Sequence, residues 1–456
     1  MAGTGIPAEA PGPVETGCGA DLASALSEET AMRVLLIYVI TENVNMPVLP
    51  LGLASVAAAA EADGHAVRLI MVGRDDCRDG IEAAVAGWAP DVIGISVRNI
   101  DDQSRESPAF LLADVRPAVE ACRRACPAPV VVGGAGYSIY PEAALEYLGA
   151  DYGVRGEGER VLVALLQRLA AGVPADGIPG LVRPGPSSTV PPQPINRLDD
   201  LPLVDPSRHL HLPDSFDGEE IWMPFGTRRG CPMGCSYCST AGIEGRMIRR
   251  LSPERAVAAL SRFVSAGFSR FFFVDNTFNL PRAYARRLCE AIAAADLGIQ
   301  WRCILYPWKV DPDLADKMAA AGCVELSLGF ESGDPDVLRG LNKRFGPDEV
   351  RRISDLFGER GIRRMGFLLL GGPDESLESA ERSLAFADSL NLEAVKITLG
   401  IRVYPGTQLA RRAAAEGMID PADPLLRPTF YLRPELSAPL REMVGRWMAD
   451  RPNWMF

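Results

Sequence analysis

The stretch Arg228–Thr240, RRGCPMGCSYCST, places Cys231, Cys235 and Cys238 within eight residues and then supplies no fourth thiol. Gly230, Pro232 and Gly234 punctuate it, as suits a backbone that must wrap closely around a bulky group. A strand-like run, IWMPFGTR (221–228), precedes the cysteines, and an apolar-periodic helical stretch over 252–266 follows them. The thiols therefore occupy the loop after the first strand of a βα series.

Downstream the alternation continues. FFFVDN (271–276), IQWRCIL (299–305), VELSLGFES (324–332), RRMGFLLLG (363–371) and EAVKITLG (393–400) read as strands, separated by helices at 281–295, 311–321, 347–360 and 376–390. Six βα units are fewer than a closed barrel needs, so the pattern predicts an open, partial (β/α)6 barrel over 221–400 with its site at the strand C-termini. Residues 401–456 are expected to form a cap.

Upstream, MRVLLIYV (32–39), HAVRLIMV, DVIGISV (91–97), APVVVGG (128–134) and ADYGVRG read as strands. LGLASVAAAAEA, PAFLLADVRPAVEACRRA, PEAALEYLG and EGERVLVALLQRLAAG read as helices. The fold class expected here is α/β: a Rossmann-like, doubly wound domain over 32–172, its ligand site beyond the carboxyl ends of the strands. The Pro- and Gly-rich stretch 173–220 reads as a linker, and residues 1–30, without apolar periodicity, read as a disordered tail.

Composition bounds the function. The chain has 456 residues, is 47% hydrophobic and 23% charged, and carries a formal net charge of -12, a balance that disfavours nucleic acid. No apolar run approaches the roughly 18 residues of a spanning helix, and the N-terminus lacks a signal-peptide pattern, so a soluble, cytoplasmic protein is expected. Of ten cysteines, seven are scattered and suggest no disulfide framework. Structural zinc would need a fourth ligand beside the trio, with His209 and His211 of the linker within conceivable reach. An iron–sulfur cubane accounts better for the number three, because three thiolates hold three irons and leave one open.

Cys231-x-x-x-Cys235-x-x-Cys238, with aromatic Tyr237 before the last thiol and the loop placed after the first strand of a partial barrel, resembles the radical S-adenosylmethionine (radical SAM) superfamily. The resemblance implies a [4Fe–4S] cluster on the three cysteines, whose open iron chelates SAM, and one-electron cleavage to a 5′-deoxyadenosyl radical. It implies an external electron donor such as flavodoxin or ferredoxin. Matched position by position, it assigns SAM contacts to Tyr237, to Asp275 and Asn276 where the family often has Gly-Gly-Glu, to Glu331 and Ser332 at the end of the fourth strand, and to Tyr404.

A doubly wound domain before such a barrel resembles the cobalamin-binding branch, class B methyltransferase-like. That likeness implies a corrinoid held by Ser96, Val97, Arg98 and Asn99 after the third strand, Gly133, Gly134, Gly136 and Tyr137 after the fourth, and Glu157 after the fifth. The branch's Asp-x-His-x-x-Gly is echoed only by Asp63-Gly64-His65, and His65 reads as a surface histidine at a helix-to-strand turn. The implied function is methylation of an unactivated carbon on a small or carrier-bound substrate. A radical cyclisation or rearrangement without net methylation is the alternative, with a methylthiotransferase or a non-catalytic metal module behind it. Trp222, Trp301, Trp308, Tyr306 and Phe330 are candidates for an apolar substrate pocket or for core.

Overall fold

The computed structural model describes residues 31–41, 49–185, 189–210 and 221–456. The expected tail over 1–30 and His211 lie outside them.

In the first domain, β1 (Arg33–Val39), β2 (Ala66–Val72), β3 (Val92–Ser96), β4 (Val130–Gly133) and β5 (Tyr152–Val154) form a parallel sheet in the order β2-β1-β3-β4-β5. β6 (Leu181–Val182) adds an antiparallel edge to β5, so the sheet draws in part of the stretch read as linker. The continuous apolar run of β1 is explained by burial on both faces. Leu35, Ile37 and Val39 pack with Ile81, Val85, Val115 and Val119, while Val34, Leu36 and Tyr38 pack with Leu53, Ala57, Val161 and Leu165. Period-two alternation with both sides covered is the pattern of a doubly wound sheet. Between β2 and β3 the chain forms a helix, Cys77–Trp88, where sequence patterning had assigned no element.

The second sheet is also parallel. β7 (Met223–Phe225), β8 (Arg270–Phe273), β9 (Gln300–Leu305), β10 (Cys323–Glu331), β11 (Arg363–Leu370) and β12 (Ala394–Leu399) follow one another. A seventh strand, β13 (Trp454–Met455), pairs with β12. Six strands were expected; the seventh comes from the C-terminal segment, whose two-residue length left no period to read. Among the described residues β7 and β13 do not pair with each other, and the barrel stays open.

Helices Pro253–Ser265, Arg282–Ala295, Pro312–Ala320, Pro347–Gly358 and Leu377–Ser389 cover its outside. An edge-to-face aromatic group fills the sheet–helix interface, with Phe225, Phe271 and Phe273 against Phe263, Phe278 and Trp301. Residues 401–431 turn back onto the first domain, where Ile401, Val403, Leu409, Ala413 and Tyr431 join its core. Arg402 is buried there and donates from Nε to Asp101 at 2.8 Å.

Candidate active site at the domain interface

The cysteine loop hangs from a two-stranded ribbon. Arg228–Arg229 pairs antiparallel with Arg249–Arg250, Arg228 opposite Arg250 and Arg229 opposite Arg249. Gly230 leaves the ribbon at φ +94°, and a Cβ there would lie 2.2 Å from the Met247 carbonyl oxygen, so only glycine fits. Cys231 N–H donates to Gly245 O at 3.1 Å, Ser236 N–H to Leu341 O at 3.1 Å and Asn342 Nδ2 to Gly234 O at 2.6 Å. The three thiols are all partly exposed.

This donor set suits a cluster better than a single ion. Among the described residues no three His, Cys, Asp or Glu side chains converge to hold one metal, and His209 is buried against Glu61 at 3.0 Å. A cubane asks less convergence, since each thiolate binds a different iron. Burial pushes the Cys231 and Cys235 thiols up, and the Lys343 ammonium opposes this at Cys235.

Lys343 escaped sequence reasoning. Its Nζ donates to the Tyr237 hydroxyl at 3.0 Å and to Glu331 Oε1 at 3.1 Å, and the Tyr237 hydroxyl donates to the same carboxylate oxygen at 2.9 Å. Tyr237, Tyr306 and Phe345 ring the ammonium, with centroids 5.3, 5.7 and 5.8 Å away. Burial disfavours the Lys343 charge, but Glu331 and Tyr237 outweigh it and hold the group well above the ordinary lysine value. Glu331 sits at φ +66° beside an irregularity in the β10–β11 register, which ends the strand and aims its side chain at Tyr237. Tyr237 and Glu331, two of the residues matched to SAM contacts, thus meet around a cation that the sequence did not announce.

Two other expected SAM contacts are occupied elsewhere. Asp275 accepts from Thr227 N at 2.7 Å, Thr227 Oγ1 at 2.6 Å, Arg228 N at 3.0 Å and Arg228 Nε at 3.2 Å. Its carboxylate is spent fixing the entry to the cysteine loop. Ser332 is fully buried, bonded to Ser383 Oγ at 2.8 Å and accepting from Asp334 N at 3.0 Å. Asn276 donates to Glu244 Oε2 at 2.8 Å, and the same oxygen accepts from Gly230 N at 2.8 Å. Tyr404 lies under the Arg402 guanidinium, its ring centroid 5.2 Å away.

The expected corrinoid loops divide. A cavity of about 620 Å³ opens between the domains, and Ser96, Arg98, Gly133, Gly134 and Glu157 line one wall. Gly226, Arg228, Arg229 and Glu244 of the barrel line the opposite wall. Val97 and Tyr137 are instead fully buried behind it, while Gly136 donates to Val97 O at 3.1 Å and abuts the Asn99 backbone. Tyr137 is accommodated because residue 153 is glycine; a Cβ there would overlap the phenol. Gly134, at φ +108°, lies so near Val97 O that a Cβ would stand 2.5 Å away. Such a side-chain-free rim at the carboxyl edge of a parallel sheet can accept a flat macrocycle.

His65 is buried, accepting from Met32 N at 3.2 Å, which corrects its reading as a surface residue. Of the five candidate aromatics, Trp222 lines the cavity, whereas Trp301 and Phe330 are fully buried core. Cys77 and Cys122 are buried in the first domain's core and Cys126 packs against it, and among the described residues they belong to no group of three metal-ligating side chains.

Comparison with known proteins agrees with this division. Residues 227–387 match the radical SAM superfamily model, and residues 37–166 match the B12 binding domain model. The chain thus carries a radical SAM domain preceded by a B12-binding domain. It is 28% identical over 433 residues to an uncharacterized methyltransferase of Pyrococcus horikoshii, covering 90% of this chain and 91% of that protein. It is 24% identical over 448 residues to the tryptophan 2-C-methyltransferase of Streptomyces laurentii, covering 82% and 73%. The fold matches the radical SAM methyltransferase TsrM of Kitasatospora setae, solved with cobalamin and a [4Fe–4S] cluster, at a TM-score of 0.83 and 24% identity over 93% of both chains. No described helix of this radical SAM protein is long and apolar enough to cross a membrane.

Proposed function

We propose that the chain is a cobalamin-dependent radical SAM methyltransferase that places a methyl group on a carbon of a small molecule. One observation carries the reading: a single cavity has loops of the B12-binding domain on one wall and the root of the cysteine loop on the other. A donor and an acceptor of one methyl group must share such a space.

Cys231, Cys235 and Cys238 would hold the cluster, and the glycine-rimmed loops at Ser96–Asn99 and Gly133–Gly136 would hold the corrinoid, with Glu157 at its edge. SAM would lie near Tyr237, Glu331, Lys343 and Asn276. When bound, these groups supply one-electron chemistry and a transferable methyl group. The chain's own share is positional. Asp275 fixes the entry to the cysteine loop, and Lys343 neutralises Glu331 within an aromatic ring of side chains. The apolar surroundings of Trp222, Phe225 and Phe272 exclude water from the cavity's barrel side.

The tryptophan named for the Streptomyces laurentii relative supports a small-molecule acceptor. A flavodoxin- or ferredoxin-type electron donor and a cytoplasmic setting belong to the same proposal. The test is anaerobic incubation of reconstituted protein with methyl-labelled SAM, hydroxocobalamin and a reductant. Label is expected on the corrinoid; its absence from the corrinoid overturns the reading.

A further inference from the structure

We infer that the corrinoid-type site and the cysteine loop are energetically coupled, and that Arg249 is the positioning residue that couples them. The inference rests on the function proposed above and adds a dependence between its two sites.

Arg249 lies on the ribbon that closes the cysteine loop, and it is 4% exposed. It donates to Glu157 Oε1 at 2.5 Å, to Ile195 O at 3.0 Å and to Glu244 O at 2.6 Å. Three separate segments therefore meet on one guanidinium: the loop after β5, the linker and the far limb of the cysteine loop. Glu157 has no slack, because its other oxygen accepts from Ile195 N at 2.6 Å. Glu244 passes the connection on, its side chain accepting from Gly230 N–H next to Cys231. Arg229, opposite Arg249 on the ribbon, reaches Glu159 at 2.5 Å and Glu157 at 3.5 Å.

Two cations and two anions thus balance in a nearly buried quartet that spans the domain boundary. Moving either loop away would leave buried charge uncompensated. Neither loop can rearrange without the other. A ligand that orders the Glu157 loop therefore lowers the ordering cost at the cysteine loop, and linkage makes the effect reciprocal.

The test is the dissociation constant of hydroxocobalamin, read by absorbance titration of the full chain before and after anaerobic cluster reconstitution, with iron and sulfide assayed in parallel. Wild-type protein is expected to bind about 5–150-fold more tightly once the cluster is present. Arg249→Met should bring that ratio close to one. Glu157→Gln, which keeps an acceptor for Ile195 N–H and the shape of the loop, should also reduce it and serves if Arg249→Met does not fold. A purely structural role would weaken both states alike and leave the ratio intact. Equal affinities in the wild type, or an undiminished ratio in the folded variants, overturn the coupling alone. No hydroxocobalamin binding in either state overturns the cobalamin assignment and the coupling with it.

Discussion

Asp101→Ala should loosen the junction between the domains more than any single surface change. Asp101 is 4% exposed and accepts from Arg402 Nε at 2.8 Å, which ties the first domain to the C-terminal segment that folds back onto it. Removing the carboxylate leaves a buried guanidinium whose other hydrogen bonds go to neutral carbonyls, at Val403 (2.6 Å), Leu425 (3.0 Å) and Thr429 (3.4 Å). Breaking a buried pair from one side costs about 3–5 kcal/mol. With a urea slope of about 3 kcal/mol/M, the first unfolding midpoint should fall by about 1–2 M. Asp176→Ala is the control, since Asp176 pairs with Arg183 in the open and exposed pairs contribute about 0–1 kcal/mol. Asp101→Ala with Arg402→Leu should recover most of the loss, because no unpaired charge remains buried. The reasoning fails if Asp101→Ala shifts the midpoint no further than Asp176→Ala, or if the double variant is no better than the single one.

Gly230→Ala combines left-handed strain of about 1–3 kcal/mol with the 2.2 Å approach to Met247 O, so iron and sulfide uptake should drop sharply. Gly245→Ala, at φ +82° with open space around it, should lose much less. Lys343→Met leaves the Glu331 carboxylate without its cation and should cost about 3–5 kcal/mol in urea titrations, whereas Tyr237→Phe removes one hydroxyl and should cost about 1 kcal/mol. Burial raises the Glu375 carboxyl from 4.5 to about 7, against the pull of the Gly371 and Gly372 N–H groups. The folded state then holds a proton that the unfolded state has released, so stability should decline from pH 4.5 through pH 7 by about 3 kcal/mol in total. Glu375→Gln cannot titrate and should flatten that slope; parallel profiles for the two proteins would contradict it.

The elements that repeat were legible in the sequence because their signal is local. β1 is apolar at consecutive positions and emerges buried on both faces; the trio of cysteines needs only a loop, and the loop is there. What escaped depends on partners far apart in the chain. Arg249 and Glu157 are 92 residues apart, and nothing in either neighbourhood marks them as a pair. Lys343 looks like any surface lysine until β10 and the cysteine loop close over it. Asp275 was legible as a carboxylate just past its strand, but its partners were not, because a carboxylate beside a candidate ammonium site looks the same as one bonded to Thr227 and Arg228. The same holds for Ser332, whose hydroxyl turns toward Ser383 on a helix. Short strands such as Leu181–Val182 and Trp454–Met455 carry too few residues to show alternation at all.

Pro224 sits in the middle of β7, which among the described residues is the edge strand of the open barrel. Phe225 O accepts from Val274 N, so the groups of residue 225 turn toward β8 and those of residue 224 turn outward. Proline has no hydrogen to offer on that side, and the neighbouring Trp222 and Gly226 face the cavity with it. An invading strand, from this chain or another copy, would find its first rung missing. The open edge of the barrel beside the cavity is thereby protected from being sealed by stray backbone.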